Sequence, residues 1–156
     1  MILLTRVDHR LLHGQVAVSW TSMLGADCIL IANDELTKND LKKTTMKLAK
    51  PANVKLVIKN IENSIRAIQS GATDKYKLFI VVESIADAAK LSEAIPEIKQ
   101  INLGGIKAKE GSRNISKAIN VLPEEEKLLK EMLMRNVEIE IRQIPNDKKI
   151  LAKNIL

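Results

Sequence analysis

The chain contains two histidines, His9 and His13, and both fall in the segment Asp8-His9-Arg10-Leu11-Leu12-His13-Gly14-Gln15, with Arg6 two residues ahead of it. An imidazole beside arginines, a carboxylate and a glycine suits nucleophilic attack on a phosphoryl group. Neutral imidazole is a competent nucleophile near pH 7, its unperturbed pKa being about 6.5. The transferring phosphoryl group spreads its charge over its equatorial oxygens, and arginine meets that charge with a planar donor fork. Gly14-Gln15 opens a helical pattern, and the first free N–H groups of a helix form an anion site. Gly14 also lets the backbone come close to a phosphate. Asp8 is placed to orient the imidazole or to accept a hydrogen bond from an arginine. His13 is therefore the expected nucleophile, supported by Arg10, Asp8 and Arg6, with Gly14 and Gln15 binding phosphate. Because arginines and amides neutralise the charge, the scheme calls for no metal and no other cofactor.

Ordinary roles compete for each of these residues. A histidine just before a helix is commonly a surface or capping residue, and His9, between charged neighbours, reads as solvated rather than catalytic. Asp8 suits a loop turn, and Arg10 an exposed charge. What sets His13 apart is the company it keeps at the end of a strand. In an open α/β sheet, ligands bind outside the carboxyl ends of the strands. That rule selects the His13 loop, Asn33-Asp34-Glu35 after a second strand, and Gly104-Gly105-Ile106-Lys107 after a fifth. The paired glycines read either as a plain turn or as a place where backbone approaches a phosphate. No G-x-G-x-x-G follows the first strand and no G-x-x-x-x-G-K occurs, so the dinucleotide and P-loop fingerprints are missing. Hydrolytic triads, zinc sites and calcium loops find no constellation either.

The elements that must position this loop are legible as alternation. Apolar, β-branched runs at Ile2–Val7, Cys28–Ala32, Val54–Ile58, Leu78–Val82 and Ile98–Leu103 predict strands, with Ala118–Val121 as a short sixth. Helical patterns lie between them. Gly14–Leu24 is predicted to place Val16, Trp20 and Met23 on one face. A second helix runs from about Lys38 to Ala49, opened by Thr37 with Asp40 three residues on and closed before Pro51. The third is Ile61–Gln69, ended by Gly71, and the fourth starts after Ser84. The last opens at Pro123 with Glu124, Glu125 and Glu126 and closes at Arg135-Asn136. Val137–Arg142 then alternates apolar with polar, which predicts a strand with one wet face, at an edge. The fold class is α/β: an open, mainly parallel twisted sheet of about six or seven strands, helices on both faces, the last strand an antiparallel edge.

Composition narrows the partners. At 156 residues without repeat or linker, the chain reads as a single domain spanning 1–156. Its start is interrupted by Arg6, Asp8 and Arg10 before any secretory core develops, and no run approaches the roughly 18 apolar residues of a membrane span. Cys28 sits alone in an apolar run and reads as packing. These features predict a cytoplasmic location. The net charge of +6 fits an acidic protein partner better than nucleic acid. Only Trp20, Tyr76 and Phe79 could stack bases, and the lysines are dispersed among carboxylates.

Arg6-Val7-Asp8-His9-Arg10-Leu11-Leu12-His13-Gly14-Gln15-Val16 resembles the active-site motif of the IIB component in the mannose/fructose/sorbose branch of the bacterial phosphotransferase system. Ala32-Asn33-Asp34-Glu35, Asn102-Leu103-Gly104-Gly105 with Glu110-Gly111, and Arg142-Gln143-Ile144-Pro145-Asn146-Asp147 agree in kind and order, so the likeness spans nearly the whole chain. The resemblance implies that His13 is phosphorylated, on Nδ1, by a phosphohistidine of the IIA component. It implies transfer onward to a sugar imported by the membrane components IIC and IID, which would recruit the chain to the inner face of the membrane. It also implies supporting roles for Asp8, Arg10 and Arg6. Gly104 and Gly105, from their place at a strand end, are the further expected phosphate-binding residues, and a homo-oligomer is left open beside a monomer. His9 occupies a variable position of the motif. Gly105-Ile106-Lys107 departs from the Gly-Met-His or Asn-Met-His often found there, so the resemblance assigns Lys107 no role. Two rivals stand beside this reading: a non-catalytic regulator or binding module on the same fold, and an ordinary nucleotide-binding enzyme.

Overall fold

A computed structural model describes all 156 residues. Its first strand, β1 (Ile2–Asp8), is followed by helix α1 (Gly14–Leu24), strand β2 (Cys28–Ala32), helix α2 (Asp40–Ala49) and strand β3 (Lys55–Lys59). Then come α3 (Ile61–Gln69), β4 (Leu78–Val82), α4 (Ile85–Ala94) and β5 (Gln100–Gly105). The remainder is β6 (Arg113–Ser116), β7 (Ile119–Val121), α5 (Pro123–Met134), β8 (Glu138–Ile141) and β9 (Ile150–Leu151). Seven strands form one sheet in the order β3-β2-β4-β1-β5-β8-β9. All pairs are parallel except β8 with β9. The sheet does end in an antiparallel edge, but it is β9, a strand the sequence pattern did not signal, while the strand expected there, Val137–Arg142, runs parallel to β5 as β8.

Helices cover both faces, as the sequence predicts. One core joins Ile61 and Ile68 of α3, Ile85 and Leu91 of α4, and Leu129 and Met132 of α5 to strand residues such as Leu30, Ile80 and Leu103. A smaller core on the opposite face joins Trp20 of α1 and Met46 of α2 to Leu4, Ile29, Ile31, Phe79 and Val81. Alternate strand residues point to opposite faces, so Leu4, Arg6 and Asp8 of β1 share the face that α1 covers. Central strands β2 and β4 are buried throughout, and Cys28 is buried among them.

The structure corrects several readings. Val137–Arg142 is not an edge: β8 pairs with β5 on one side and β9 on the other. Its alternation misleads because Glu140 is buried, at 4% exposure, with an arginine as partner rather than water. The Ala118–Val121 segment gives β7, which lies outside the main sheet, pairs antiparallel with β6 and meets the end of β5 at the bridge Ile106–Ile119, with Ile119 and Val121 packed into the core. Asn39, not Thr37, caps α2: its Oδ1 accepts from the Lys42 N–H, while Thr37 lies in a separate 3-10 turn, Leu36–Lys38. On α1 the inward residues are Ala17, Trp20 and Thr21, and Met23 is half exposed. Strand β5, Gln100–Gly105, takes in the Gly104-Gly105 pair expected to follow it, and β3 is Lys55–Lys59 rather than Val54–Ile58. Several other boundaries follow local chemistry as read. Ser84 caps α4, Pro123 begins α5, and Asn136 leaves α5 in the left-handed region.

Candidate phosphate-transfer site

The site stands where β1 ends and α1 begins, beside the carboxyl end of β5. The intervening loop is tightly determined. Leu11 N–H donates to the Asp8 carbonyl at 2.8 Å, and Arg10 N–H to Asp8 Oδ1 at 2.9 Å, so Asp8 nucleates its own turn. His9 N–H donates to the Gly105 carbonyl at 2.9 Å and ties the loop to β5. Leu11 takes a left-handed φ of 60°, a conformation that costs a β-carbon residue of order 1 kcal/mol or more. Burial of Leu11 and Leu12 in the α1-side core offsets that cost. His13 is then extended (φ −152°), and Gly14 turns into the helix with φ +48°.

Asp8 is the hub. Its side chain is fully buried, yet every lone pair has a partner nearby. Oδ2 accepts from Arg6 Nη2 at 3.0 Å and faces His13 Nε2 at 2.9 Å. Oδ1 accepts from the Arg10 amide and, at a longer 3.4 Å, from Arg10 Nε. Burial pushes the Asp8 carboxyl up, but the His13 and Arg10 hydrogen bonds and the Arg6 charge outweigh it and hold the group below its ordinary range. An ionised Asp8 accepts only, so the His13 nitrogen facing it is Nε2–H. In the neutral ring Nδ1 then carries the lone pair.

Arg6, expected beside the phosphate, lies beneath the site instead. It is 3% exposed and both terminal nitrogens of its guanidinium donate to protein groups. Nη1 donates to Asn102 Oδ1 at 2.7 Å and to the Arg142 carbonyl at 3.2 Å, while Nη2 holds Asp8. Burial lowers its pKa against the raising effect of Asp8, but a guanidinium stays protonated even so. Arg10 is the outward arginine, with half of its side chain exposed. The His13 side chain is a quarter exposed, and Gly14 and Gln15 are exposed. The α1 hydrogen-bond ladder begins with Ala17 N–H donating to the His13 carbonyl. The N–H groups of Gly14, Gln15 and Val16 precede that ladder, as at any helix start.

Gly104 and Gly105 lie buried in β5. The close approach that Gly104 permits is made by Arg6: a β-carbon there would stand 2.1 Å from the guanidinium carbon. At Gly105 it would meet Asp8 Oδ1 at 3.4 Å and His9 Nδ1 at 3.5 Å. His9 itself is held by its backbone, its Nδ1 being 4.0 Å from Asp8 Oδ1. Lys107 is exposed beyond the Ile106 bridge.

Sequence reasoning assigned no site role to Asn102, Glu140, Arg142 or Trp20, all of which hold Arg6 or its neighbours. Register explains their arrival, since Arg6 lies opposite Asn102 and Asn102 opposite Glu140 across three adjacent strands. The signal available was a set of polar residues, Asn102 and Glu140, in runs that otherwise read as core.

Taken together, the arrangement presents one partly exposed imidazole, one outward arginine and a free helix start around a buried carboxylate. The family model described as the sorbose subfamily IIB component of the phosphotransferase system matches residues 2–156. A protein of Streptococcus pyogenes serotype M6 named as a phosphotransferase enzyme IIB component is 34% identical, over 96% of each chain. The sorbose-specific EIIB component of Lacticaseibacillus casei is 30% identical, over 98% of this chain and 94% of its own. The crystal structure of the N-acetylgalactosamine-specific IIB component 1 from Escherichia coli superposes with a TM-score of 0.89 at 31% identity, covering 96% of this chain and 97% of that one. The chain belongs to the sorbose subfamily of phosphotransferase-system IIB components, which serve sugar phosphoryl transfer.

Proposed function

We propose that the chain works as one phosphocarrier domain, 1–156, in which His13 Nδ1 accepts a phosphoryl group from a phosphohistidine of a IIA protein. The nitrogen–phosphorus bond of the donor breaks as the bond to His13 Nδ1 forms. In the second step that bond breaks with its electron pair returning to His13 Nδ1, and a sugar hydroxyl takes the phosphoryl group as its proton passes to water. The sugar is one carried by the IIC and IID membrane components, to which the chain is recruited from the cytoplasm. The observation that carries this reading is the 2.9 Å contact of His13 Nε2 with the buried, ionised Asp8. It fixes the tautomer whose free nitrogen can attack, and it stabilises the cation that forms when Nδ1 is substituted.

Each remaining group has a defined part. Arg10 meets the equatorial oxygens, and the Gly14 and Gln15 amides meet the same charge from the helix start. Asp8 and Arg6 are positioning residues, Arg6 acting through Asp8. Gly104 serves the site from below by leaving room for Arg6, and Gly105 accepts the His9 N–H that ties the loop to β5. Incubation with phosphorylated IIA protein tests the assignment. The wild type is expected to gain an acid-labile, base-stable label and His13→Ala none; equal labelling of the two overturns it.

A further inference from the structure

The groups that hold Arg6 from outside the His13 loop form a unit of their own. The Glu140 carboxylate, its side chain 5% exposed, accepts from both Nε and Nη2 of Arg142, at 2.6 and 3.0 Å. The remaining Arg142 Nη1 donates to the Pro145 carbonyl at 3.2 Å. That guanidinium is thus fully engaged within its own strand and loop. What reaches the site is the Arg142 backbone carbonyl, which accepts from Arg6 Nη1 and from Asn102 Nδ2, each at 3.2 Å. Trp20 closes the other side. Its indole N–H donates to the Gln143 carbonyl at 2.9 Å. Its ring centre lies 5.3 Å from the Arg6 guanidinium carbon and 5.1 Å from that of Arg142. A buried ion pair is seldom more stabilising than apolar residues of the same volume. Stability alone therefore gives no reason for a Glu–Arg pair here, whereas fixing one carbonyl does.

We propose that Glu140, Arg142 and Trp20 are positioning residues for phosphoryl transfer, fixing the 142–143 backbone and through it Arg6, Asp8 and the tautomer of His13. The inference rests on His13 being the phosphorylated residue, and none of the three touches the phosphate. Their influence passes through one atom, because Asp8 Oδ2 is shared by Arg6 Nη2 and His13 Nε2. Charge balance adds a second reason. Arg6 and Arg142 are matched in this row by Asp8 and Glu140. Without the Glu140 charge, the Arg142 guanidinium loses its bidentate partner and keeps only the pull of Asp147 and Glu138, so the Arg142 carbonyl no longer holds Arg6, and through it Asp8, in place. A loosened Asp8 lets the imidazole take up the Nδ1–H form, in which the attacking nitrogen is blocked.

Glu140→Gln removes the charge and keeps the shape; Trp20→Phe removes the indole N–H and keeps an aromatic ring. In the intact, unphosphorylated protein, nitrogen NMR reads the ratio of Nε2–H to Nδ1–H at His13. Phosphoramidate, a small phosphodonor, reads the rate at which His13 is phosphorylated, with His13→Ala as the blank. Both variants are expected to raise the Nδ1–H share and to slow labelling roughly 10- to 100-fold, the loss that about 1 Å of misplacement can cause. Glu140→Asp, which restores the charge, is expected to recover part of the rate. A wild-type tautomer ratio in the folded variants overturns the proposal, whatever the rates do. Should Glu140→Gln not fold, Trp20→Phe decides alone. If the wild type is not labelled at His13, the phosphohistidine reading fails, while the tautomer measurement still decides the positioning role.

Discussion

Gly104→Ala offers the sharpest test of how the site is built. The glycine lies in β5 with a backbone that other residues can adopt, so the whole cost is steric. Its added β-carbon would stand 2.1 Å from the Arg6 guanidinium carbon and 2.3 Å from each terminal nitrogen. The guanidinium must move, and it is tied to Asn102, the Arg142 carbonyl and Asp8. Hydrogen bonds to a charged group contribute about 1.5–3 kcal/mol each, but they are lost together and do not add. The comparable event, stranding one partner of a buried ion pair, costs about 3–5 kcal/mol, and that is the destabilisation expected here. Gly105→Ala is the internal control. Its β-carbon would meet nothing closer than Asp8 Oδ1 at 3.4 Å, so roughly 1 kcal/mol or less is expected. Urea unfolding of both variants measures the difference. Repeating Gly104→Ala in an Arg6→Ala background isolates the cause, since the guanidinium that supplies its three nearest contacts is then gone and its cost should largely vanish. The reasoning is refuted if Gly104→Ala costs no more than Gly105→Ala, or if its cost survives intact without Arg6.

Acid sensitivity provides a second check. Asp8 is held below its ordinary range in the fold. Its contribution is therefore complete above the unfolded value, about 3.9, and declines as pH falls from there through the lower folded value. Asp8→Asn is expected to be less stable at neutral pH, and its stability to fall less steeply than the wild type's below about pH 4; parallel acid curves would contradict this. Arg10→Ala separates chemistry from folding. With its side chain half exposed and its Nε contact a long 3.4 Å, its loss is expected to change stability by about 1 kcal/mol or less. Transfer should slow roughly 100-fold, as on deleting one preorganised donor to developing charge. A several-kcal/mol loss in calorimetry with unchanged single-turnover transfer would reverse that assignment.

Much of the scaffold was legible because its signals are local. Helix α1 and strands β2 and β4 have the predicted bounds, since each is an apolar or amphipathic run ended by its own cap or turn. Misreadings arose where a partner distant in sequence changed the meaning of a pattern. In Val137–Arg142 the alternation signalled water on one face, but the polar residue is Glu140, buried against Arg142. At α2 two neighbouring residues were both able to cap, and the 3-10 turn Leu36–Lys38 gave the role to Asn39.

The site divides along the same line. The sequence alone determined that His13, Asp8, Arg10 and Gly14 would stand together, because a strand end, one turn and a helix start separate them by only a few residues. It also pointed to the phosphoryl chemistry that such a group suits. Only the tertiary structure decided that Arg6 turns inward, beneath the His13 loop. That outcome depends on Asn102 lying 96 residues away and the Arg142 carbonyl 136 residues away, and on Gly104 leaving space for the guanidinium. Parallel pairing places Arg6, Asn102 and Glu140 in one row across three strands. Register of that kind is a property of the assembled sheet, where burial makes an unpaired charge intolerable and so dictates which partners each charge must find.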